Sequence, residues 1–163
     1  MTKRNLLKHL KEFLKESGKA DFASSDPKRW TKEKDSSTTI KYESGNWKFN
    51  DNFFGGEPYG GRTVVYYKGS PVWMFIYYGW VEPNVANIQK VYDFLKGALN
   101  TDSENKMFRG PKKFVQNNFT YKNSWKGNLG KFLGKEAIYN KGKKIYQAKY
   151  MGGLVDQRKD KET

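Results

Sequence analysis

The chain has 163 residues, a formal net charge of +14 and no cysteine. This length fits one domain with a core of its own, and the lack of cysteine excludes disulfides, zinc–thiolate sites and cysteine nucleophiles. The sequence contains neither a secretory h-region at its start nor an apolar run of the roughly 18 residues that a membrane span needs, so we expect a cytoplasmic protein without a membrane partner.

The first third of the chain predicts one helix and one long loop. Residues 4–16 place leucine and phenylalanine at i, i+3/i+4 and i+7 spacing, which is typical of an amphipathic helix, and Ser17-Gly18 ends it. Residues 24–39 are polar and contain Pro27, so they predict a loop anchored by Trp30.

The next segment predicts strands followed by a helix. Trp47, Phe49, Asp51 and Phe53 alternate along one face of a strand. The glycines of FFGGEPYGG (53–61) predict a loop or bulge, and the two apolar runs around the KGS turn that follows predict a hairpin. Because both phases of the run VWMFIYY are apolar, that strand should be covered on both faces. Residues 84–99 show helical spacing, with Asn84 as the predicted N-cap.

The second half of the chain repeats this order. Residues 139–154 share five identities in sixteen with residues 66–81, at an offset of 73, and the alternating strand pattern from Phe119 matches the one from Trp47 at an offset of 72. We therefore predict an α+β fold in which duplicated three-stranded antiparallel units (about 40–82 and 112–155) form one curved sheet, with the N-terminal and central helices on one face. Residues 1–155 form the single domain, and 156–163 a disordered tail.

The positive charge is concentrated in the second repeat. Residues 106–155 carry twelve Lys/Arg against one Glu, which gives +11, and several lysines alternate with apolar residues along its strands. A basic face of a sheet can follow a phosphate backbone, and neighbouring aromatic side chains can stack on bases. We expect a non-enzymatic binding module whose partner is nucleic acid. The predicted contacts are Lys122, Lys126, Lys131, Lys135, Lys143, Lys144 and Lys149.

Two alternatives remain open from the residues alone. Asp51 shares its strand face with aromatic residues, and Glu57, Tyr59 and Arg62 follow it closely. A carboxylate among aromatic side chains has a raised pKa and suits acid–base chemistry, so these four residues are candidates for a small-molecule or enzyme cleft. Otherwise Asp51 caps a turn and Glu57 pairs with Arg62. The second alternative is a module that binds an acidic protein.

The sequence gives little support to a metal site, a catalytic triad or a phosphate-binding loop. His9 is the one histidine and lies on the polar flank of the first predicted helix, so it provides neither a zinc site nor a Ser-His-Asp triad. The glycines of residues 53–61 lead into a strand without a Walker lysine, which argues against a phosphate cradle. We predict no catalytic residue, no metal and no cofactor.

Several strings resemble a family of small prokaryotic domains: FLKESGKADFAS, IKYESGNWKFNDNFFGGEPYGG, VVYYKGSPVWMFIYYGWV, MFRGP and AIYNKGKKIYQAKYMGGLV. The resemblance extends from about residue 12 to 155 and rests on glycine, tryptophan and tyrosine positions. It implies a domain that stands alone or follows a helix-turn-helix module in transcriptional regulators, and it implies no activity. In the family an acidic residue commonly follows the second glycine pair, where this chain has Arg62.

Overall fold

The computed structural model describes residues 2–18, 30–101 and 109–157. In these residues it contains two α-helices and one antiparallel sheet of nine strands, which agrees with the predicted α+β class. All but the first two residues of the predicted tail lie outside the described residues. The elements are α1 (Lys3–Ser17), β1 (Trp30–Lys32), β2 (Thr38–Ser44), β3 (Trp47–Gly55), β4 (Tyr59–Tyr67), β5 (Ser70–Val81), α2 (Ile88–Asn100), β6 (Lys113–Gln116), β7 (Phe119–Asn128), β8 (Lys131–Asn140) and β9 (Lys143–Leu154).

The first helix agrees with its prediction and the second begins later than predicted. The hydroxyl of Thr2 accepts a hydrogen bond from the backbone N–H of Asn5 at 3.3 Å and so caps α1. In α2 the N-cap is Asn87, whose side chain accepts from the N–H of Lys90 at 3.0 Å. The prediction of Asn84 as N-cap was wrong, because the chain first makes a turn in which the N–H of Val85 donates to the carbonyl of Glu82.

The strands follow the order β1-β2-β3-β4-β5-β9-β8-β7-β6, and all neighbours are antiparallel. The predicted loop over 24–39 was wrong for residues 30–32 and 38–39, which form β1 and the start of β2, and it holds for the turn between them. The short strand β1 forms hydrogen bonds with the backbone groups on the otherwise open edge of β2. The polar composition of the segment does not reveal this role. Residues 24–29 lie outside the described residues.

Both helices pack on the same face of the sheet, here called the inner face, as predicted. Leu10 and Phe13 of α1 belong to a cluster with aromatic residues of β3, β5 and β8. Val91 and Leu95 of α2 belong to a second cluster with residues of β5, β7, β8 and β9. The burial of alternate strand residues follows from this arrangement, because successive side chains of a strand point to opposite faces.

The opposite face of the sheet, here called the outer face, is exposed even at the centre of the sheet. Ile76 and Tyr78 of β5 are 44% and 52% exposed. The prediction that this strand is covered on both faces was therefore wrong. Both described helices pack on the inner face, so the apolar residues in the outward phase of β5 face away from the core.

The glycine-rich segment 53–61, predicted as a loop or bulge, is mostly strand and forms a tight hairpin turn over residues 56–58. β3 continues to Gly55 and β4 begins at Tyr59, and the two residues pair across the turn. Gly55 has a φ of +77°, a conformation that favours glycine. Gly61 faces Phe53 so closely that a Cβ atom would lie 2.6 Å from the Phe53 Cβ. This turn brings the strand of Asp51 next to the strand of Tyr59.

The two faces predict opposite responses to the same substitution. Leu10 of α1 is completely buried against the inner face, and Leu133 is 56% exposed on the outer face. We expect Leu10→Ala to lower the free energy of unfolding by about 2 to 5 kcal/mol, because it leaves a cavity in the core. The matched change Leu133→Ala should shift it by no more than about 0.5 kcal/mol. Urea denaturation of both variants tests this, and an equally large loss for Leu133→Ala would mean that the outer face is covered.

Candidate functional sites

The strand register brings most of the predicted lysines onto the outer face. Lys122 and Lys126 lie in the outward phase of β7, and Lys149 lies in the outward phase of β9. β8 lies between these two strands and contributes Lys131 and Lys135 to the same face. Five of the seven predicted lysines are thereby shown on one surface.

The remaining two predicted lysines lie where the β8–β9 hairpin turns. Lys144 pairs with Tyr139, and its ammonium group is 3.3 Å from the side-chain oxygen of Gln147, to which it donates. Lys143 has the opposite phase and pairs with Asn140 at the end of the ladder. Both lysines are exposed, so they extend the basic surface at its edge.

Lysines face each other directly at two places on the outer face. Lys135 pairs with Lys149, and Lys113 pairs with Lys122. Directly opposite residues of antiparallel strands have Cβ atoms about 4.5 to 5.5 Å apart, a distance at which like charges destabilise the sheet. Within β4 to β9 the one carboxylate is Glu136, which is buried on the inner face. The strands themselves therefore supply no counter-charge to the opposed lysines, although the carboxylate of Glu82, directly after β5, accepts from the side chain of Gln147 in β9 at 2.8 Å.

Exposed apolar side chains adjoin the lysines. Ile76, Met151 and Leu133 lie side by side across β5, β9 and β8, and each is 44% to 56% exposed. Tyr78 pairs with Lys149, and its ring lies over Gly60, where a Cβ atom would come within 2.8 Å of it. Such contiguous exposed apolar groups on a monomer usually mark an interaction surface.

On the inner face, Asp51 is buried in the middle of its strand instead of capping a turn. It is 3% exposed and pairs with Thr63 across β3 and β4. The hydroxyl of Thr63 donates to one carboxylate oxygen at 2.7 Å, and the hydroxyl of Tyr77 donates to both oxygens at 3.0 Å. These donors hold the carboxylate in one orientation.

The structure places Glu57 and Arg62, the other charged residues of the predicted cleft, away from Asp51. Glu57 accepts from the backbone N–H of Val81 at 2.9 Å and from the hydroxyl of Tyr92 at 2.5 Å, so it fastens the β3–β4 turn to β5 and α2. Arg62 lies on the outer face, between Asn52 and Ile76 of the adjacent strands. The structure thus brings Asp51 and Tyr59 onto the inner face, and it does not join Arg62 to them.

A buried ion pair that the sequence analysis missed lies beside Tyr59. Glu136 is 2% exposed and accepts from Arg109 Nη2 at 2.8 Å, with Arg109 Nε at 3.2 Å from the same oxygen. The hydroxyls of Tyr121 and Tyr146 donate to the two carboxylate oxygens at 2.6 and 2.8 Å. Arg109 Nη2 also donates to the hydroxyl oxygen of Tyr59 at 2.9 Å.

The proton positions in this network follow from counting donors. The Tyr146 hydroxyl carries one hydrogen, and it donates that hydrogen to the ionised Glu136. The hydroxyls of Tyr59 and Tyr146 are 2.5 Å apart, so Tyr59 is the donor in that contact. Each tyrosine hydroxyl therefore donates once. Tyr121 and Tyr146 donate to Glu136 directly, and Tyr59, which accepts from Arg109, is linked to Glu136 through Tyr146.

The pKa shifts agree with a network that stays ionised at its centre. Burial disfavours the Glu136 carboxylate, but the charge of Arg109 and the hydrogen bonds from Arg109 and the tyrosines outweigh it, so the pKa of Glu136 lies below its ordinary value of 4.5. Burial, followed by the charge of Glu136, raises the pKa of Tyr121 and Tyr146 well above 10.0. The tyrosines remain hydrogen-bond donors at neutral pH, which fits a structural role better than base catalysis.

A cavity of about 380 Å³ opens between the inner face and the two helices. Asp51, Tyr59 and Arg109 contribute to its wall, so the predicted carboxylate and the buried ion pair meet at one space. The remaining wall is largely aromatic and includes Trp73, Phe75 and Tyr77. Among the described residues no group of carboxylate and histidine side chains could hold a metal ion.

Of the buried ion pair, only Glu136 could have been recognised from the sequence. Glu136 lies in the inward phase of β8 with Phe132 and Ile138, so a carboxylate interrupts an apolar alternation, as Asp51 does in β3. Arg109 follows α2 without any periodicity, and its φ of +79° is unusual for a residue with a side chain. Its position depends on Glu136, which is 27 residues away.

Comparison with known proteins adds a family but no activity. Residues 51–155 match the model of a family described as a domain of unknown function (DUF5680). No curated protein and no solved structure matches the chain. Neither described helix is long and apolar enough to cross a membrane.

The buried ion pair predicts a pH-dependent loss of stability. Because the pKa of Glu136 is depressed in the folded protein, its contribution is complete above pH 4.5 and is lost as the pH falls through the folded value. Glu136→Gln should leave Arg109 without a counter-charge and cost about 3 to 5 kcal/mol at pH 7. The difference in the free energy of unfolding between Glu136→Gln and wild type should narrow below pH 4.5.

The matched control is Glu43→Gln, which breaks the exposed ion pair with Lys48. Exposed pairs contribute at most about 1 kcal/mol, so this variant should unfold almost like wild type. Urea denaturation between pH 3 and pH 7 measures both. A constant difference between Glu136→Gln and wild type over that range would contradict the assignment of an ionised Glu136.

Proposed function

Since the chain belongs to the DUF5680 family, whose description names no activity, we propose from the geometry alone that it is a non-enzymatic module that binds single-stranded nucleic acid on the outer face of its sheet. The proposal rests on two pairs of directly opposed lysines, Lys135–Lys149 and Lys113–Lys122, on strands without an outward carboxylate. An anion between such lysines relieves their repulsion, and a phosphate backbone supplies anions at regular intervals.

The shape and composition of the outer face favour single strands over duplex. The exposed ring of Tyr78 is adjacent to Lys149, and the rings of Tyr78 and Trp80 have centroids 5.9 Å apart. Phe54, half exposed, lies on the other side of Gly60 from Tyr78. Aromatic rings beside a basic track are the usual platform for unpaired bases, which stack while the lysines contact phosphates.

We also propose that the sheet arose by duplication of a three-stranded unit. The order β3-β4-β5-β9-β8-β7 has the two units meeting through their last strands, and equivalent polar contacts occur in both. Tyr77 donates to Asp51 in the first unit, and Tyr150 donates to Asn123 at 2.7 Å in the second. The units then differ in their outward residues, which are aromatic and aliphatic in β5 and lysine-rich in β8 and β9.

An association with helix-turn-helix regulators, which the resemblance of the sequence implies, would place this face close to DNA. An acidic protein partner would use the same charges. An acidic protein is therefore the alternative partner, and a polyglutamate peptide tests it in the binding experiment.

Fluorescence anisotropy with labelled single-stranded DNA and RNA over a salt series tests the proposal. Wild type should bind at low salt, and the logarithm of its affinity should fall against the logarithm of salt by about 0.7 per phosphate neutralised. The variant Lys122→Glu/Lys126→Glu/Lys149→Glu should bind at least about a hundredfold more weakly, since several phosphate contacts are lost.

A charge-matched control separates this face from net charge. Lys8→Glu/Lys11→Glu/Lys15→Glu makes the same change of charge on the exposed side of α1 and should retain most of the affinity. No binding by wild type at low salt, or an equal loss in both variants, would refute the proposal. Tight binding of polyglutamate but not of nucleic acid would assign the face to an acidic protein.

A second substitution tests the contribution of the aromatic platform. Tyr78→Ala removes the exposed ring beside Lys149 and leaves the charge unchanged. Stacking of a base on an aromatic ring contributes about 1 to 3 kcal/mol, so affinity for single strands should fall at least about fivefold. Affinity for duplex DNA in the same assay should not change. An equal loss for both forms would show that Tyr78 does not stack on bases.

A further inference from the structure

The cavity on the inner face contains the features of a small-molecule site that is separate from the outer face. Its volume of about 380 Å³ lies within the range of about 300 to 1,000 Å³ that is common for ligand pockets. It lies between α1, α2 and strands β1 to β5. The sheet itself separates it from the lysines of the outer face.

The wall of the cavity has one fixed acceptor. The carboxylate of Asp51 is oriented by Thr63 and Tyr77, so it does not need to reorganise when a donor approaches. Charged acceptors form the stronger hydrogen bonds of proteins, particularly away from bulk water. A ligand N–H group directed at this carboxylate would be recognised strongly.

A fixed donor lies close to this acceptor. Arg109 is held by Glu136 and Tyr59, and its guanidinium carbon lies 5.4 Å from the centroid of the Tyr77 ring. The hydroxyl of that same tyrosine binds Asp51, so Tyr77 contacts the acceptor through its oxygen and the donor through its ring. One ligand of moderate size can therefore reach both groups.

The charges around the cavity argue against a charged ligand. Its described wall contains one anion, Asp51, and three cations, Arg109, Lys32 and Lys96. An organic cation could pair with Asp51 but offers no acceptor to Arg109, whose charge Glu136 already balances. An organic anion could accept from Arg109 but would face the buried carboxylate of Asp51. Either ligand would leave one of the two polar groups of the wall unmatched. A neutral ligand that carries both donors and acceptors avoids this cost.

The remaining wall selects for a flat ligand. Eight of the described residues that line the cavity are aromatic. Aromatic faces favour planar rings through offset and edge contacts with centroids about 4.5 to 7 Å apart. These residues are Trp30, Phe49, Phe53, Tyr59, Trp73, Phe75, Tyr77 and Tyr92.

We propose that this cavity binds a neutral planar nitrogen heterocycle with a cyclic amide, whose ring N–H donates to Asp51 and whose carbonyl oxygen accepts from Arg109. Purine and pteridine bases with an oxo group are the chemical class that fits this arrangement. The aromatic residues hold the ring, and the two polar groups orient its amide edge. This site does not depend on nucleic-acid binding by the outer face.

Guanosine is the probe, because its purine ring carries an N–H beside a carbonyl on one edge. We expect binding by isothermal titration calorimetry at about 1 mM guanosine, where a Kd of 1 mM gives half-saturation. The matched compound 1-methylguanosine lacks the ring N–H and should bind at least about tenfold more weakly, since the hydrogen bond to a charged acceptor is lost. Benzamidine and benzoate test the cationic and anionic alternatives.

Four variants locate the binding, two that change the cavity and two controls outside it. Asp51→Asn should weaken guanosine at least about tenfold, whereas Asp93→Asn, a matched change on the exposed side of α2, should not affect it. Gly56→Phe should block the cavity without altering its polar groups, because a Cβ atom at Gly56 meets nothing within 4 Å. This variant keeps the test decisive if Asp51→Asn does not fold. Tyr78→Ala must leave guanosine binding unchanged, since that ring lies on the outer face.

Each other result overturns the proposal in a defined way. Tighter binding of benzamidine than of guanosine, sensitive to Asp51→Asn, would make this a site for organic cations. Tighter binding of benzoate would make it a site for anions. Equal affinity for guanosine and 1-methylguanosine would show that the protein does not recognise the amide edge of the ring. The absence of guanosine binding to wild type, or guanosine binding that Gly56→Phe leaves unchanged, would refute the cavity as the site.

Discussion

The antiparallel pairing of β5 with β9 is the contact on which the rest of the structure depends. It joins the two groups of strands into one sheet, so that both share an inner and an outer face. The join requires glycine, because a Cβ atom at Gly152 would lie 2.2 Å from the carbonyl oxygen of Met74 and one at Gly79 would lie 2.9 Å from the Cβ of Ala148. The rings of Phe75 and Tyr150 then meet across the join, with centroids 5.5 Å apart.

This single sheet creates the conditions for the buried ion pair. Glu136 occupies an inward position of β8, and an isolated carboxylate there would be very costly. Arg109 neutralises it, and Tyr59 and Tyr146, which come from different halves of the sheet, complete the hydrogen bonds. The network therefore ties both halves to the segment that follows α2, and it also fixes the guanidinium that faces the cavity.

The two faces of the sheet meet opposite physical demands. Under the helices, polar groups are tolerated because each has a partner, as Asp51 has in Thr63 and Tyr77. On the outer face, Lys135 and Lys149 oppose each other in contact with water, where repulsion is weak enough to persist. The proposed functions follow this division, since oriented polar groups among aromatic rings suit a small ligand and unbalanced lysines suit a polyanion.

The sequence by itself determined the α+β class, the first helix, the main strands and the outward direction of Lys122, Lys126 and Lys149, because periodicities of 3.6 and 2 are local properties. It also indicated that Asp51 lies on an inner face. Only the tertiary structure decided which strands are neighbours, and with them the opposition of Lys135 to Lys149 and the loss of Arg62 from the cleft. The tertiary structure alone also decided that Arg109 pairs with Glu136. These relations join residues distant in sequence, and no local pattern encodes the strand order that brings them together.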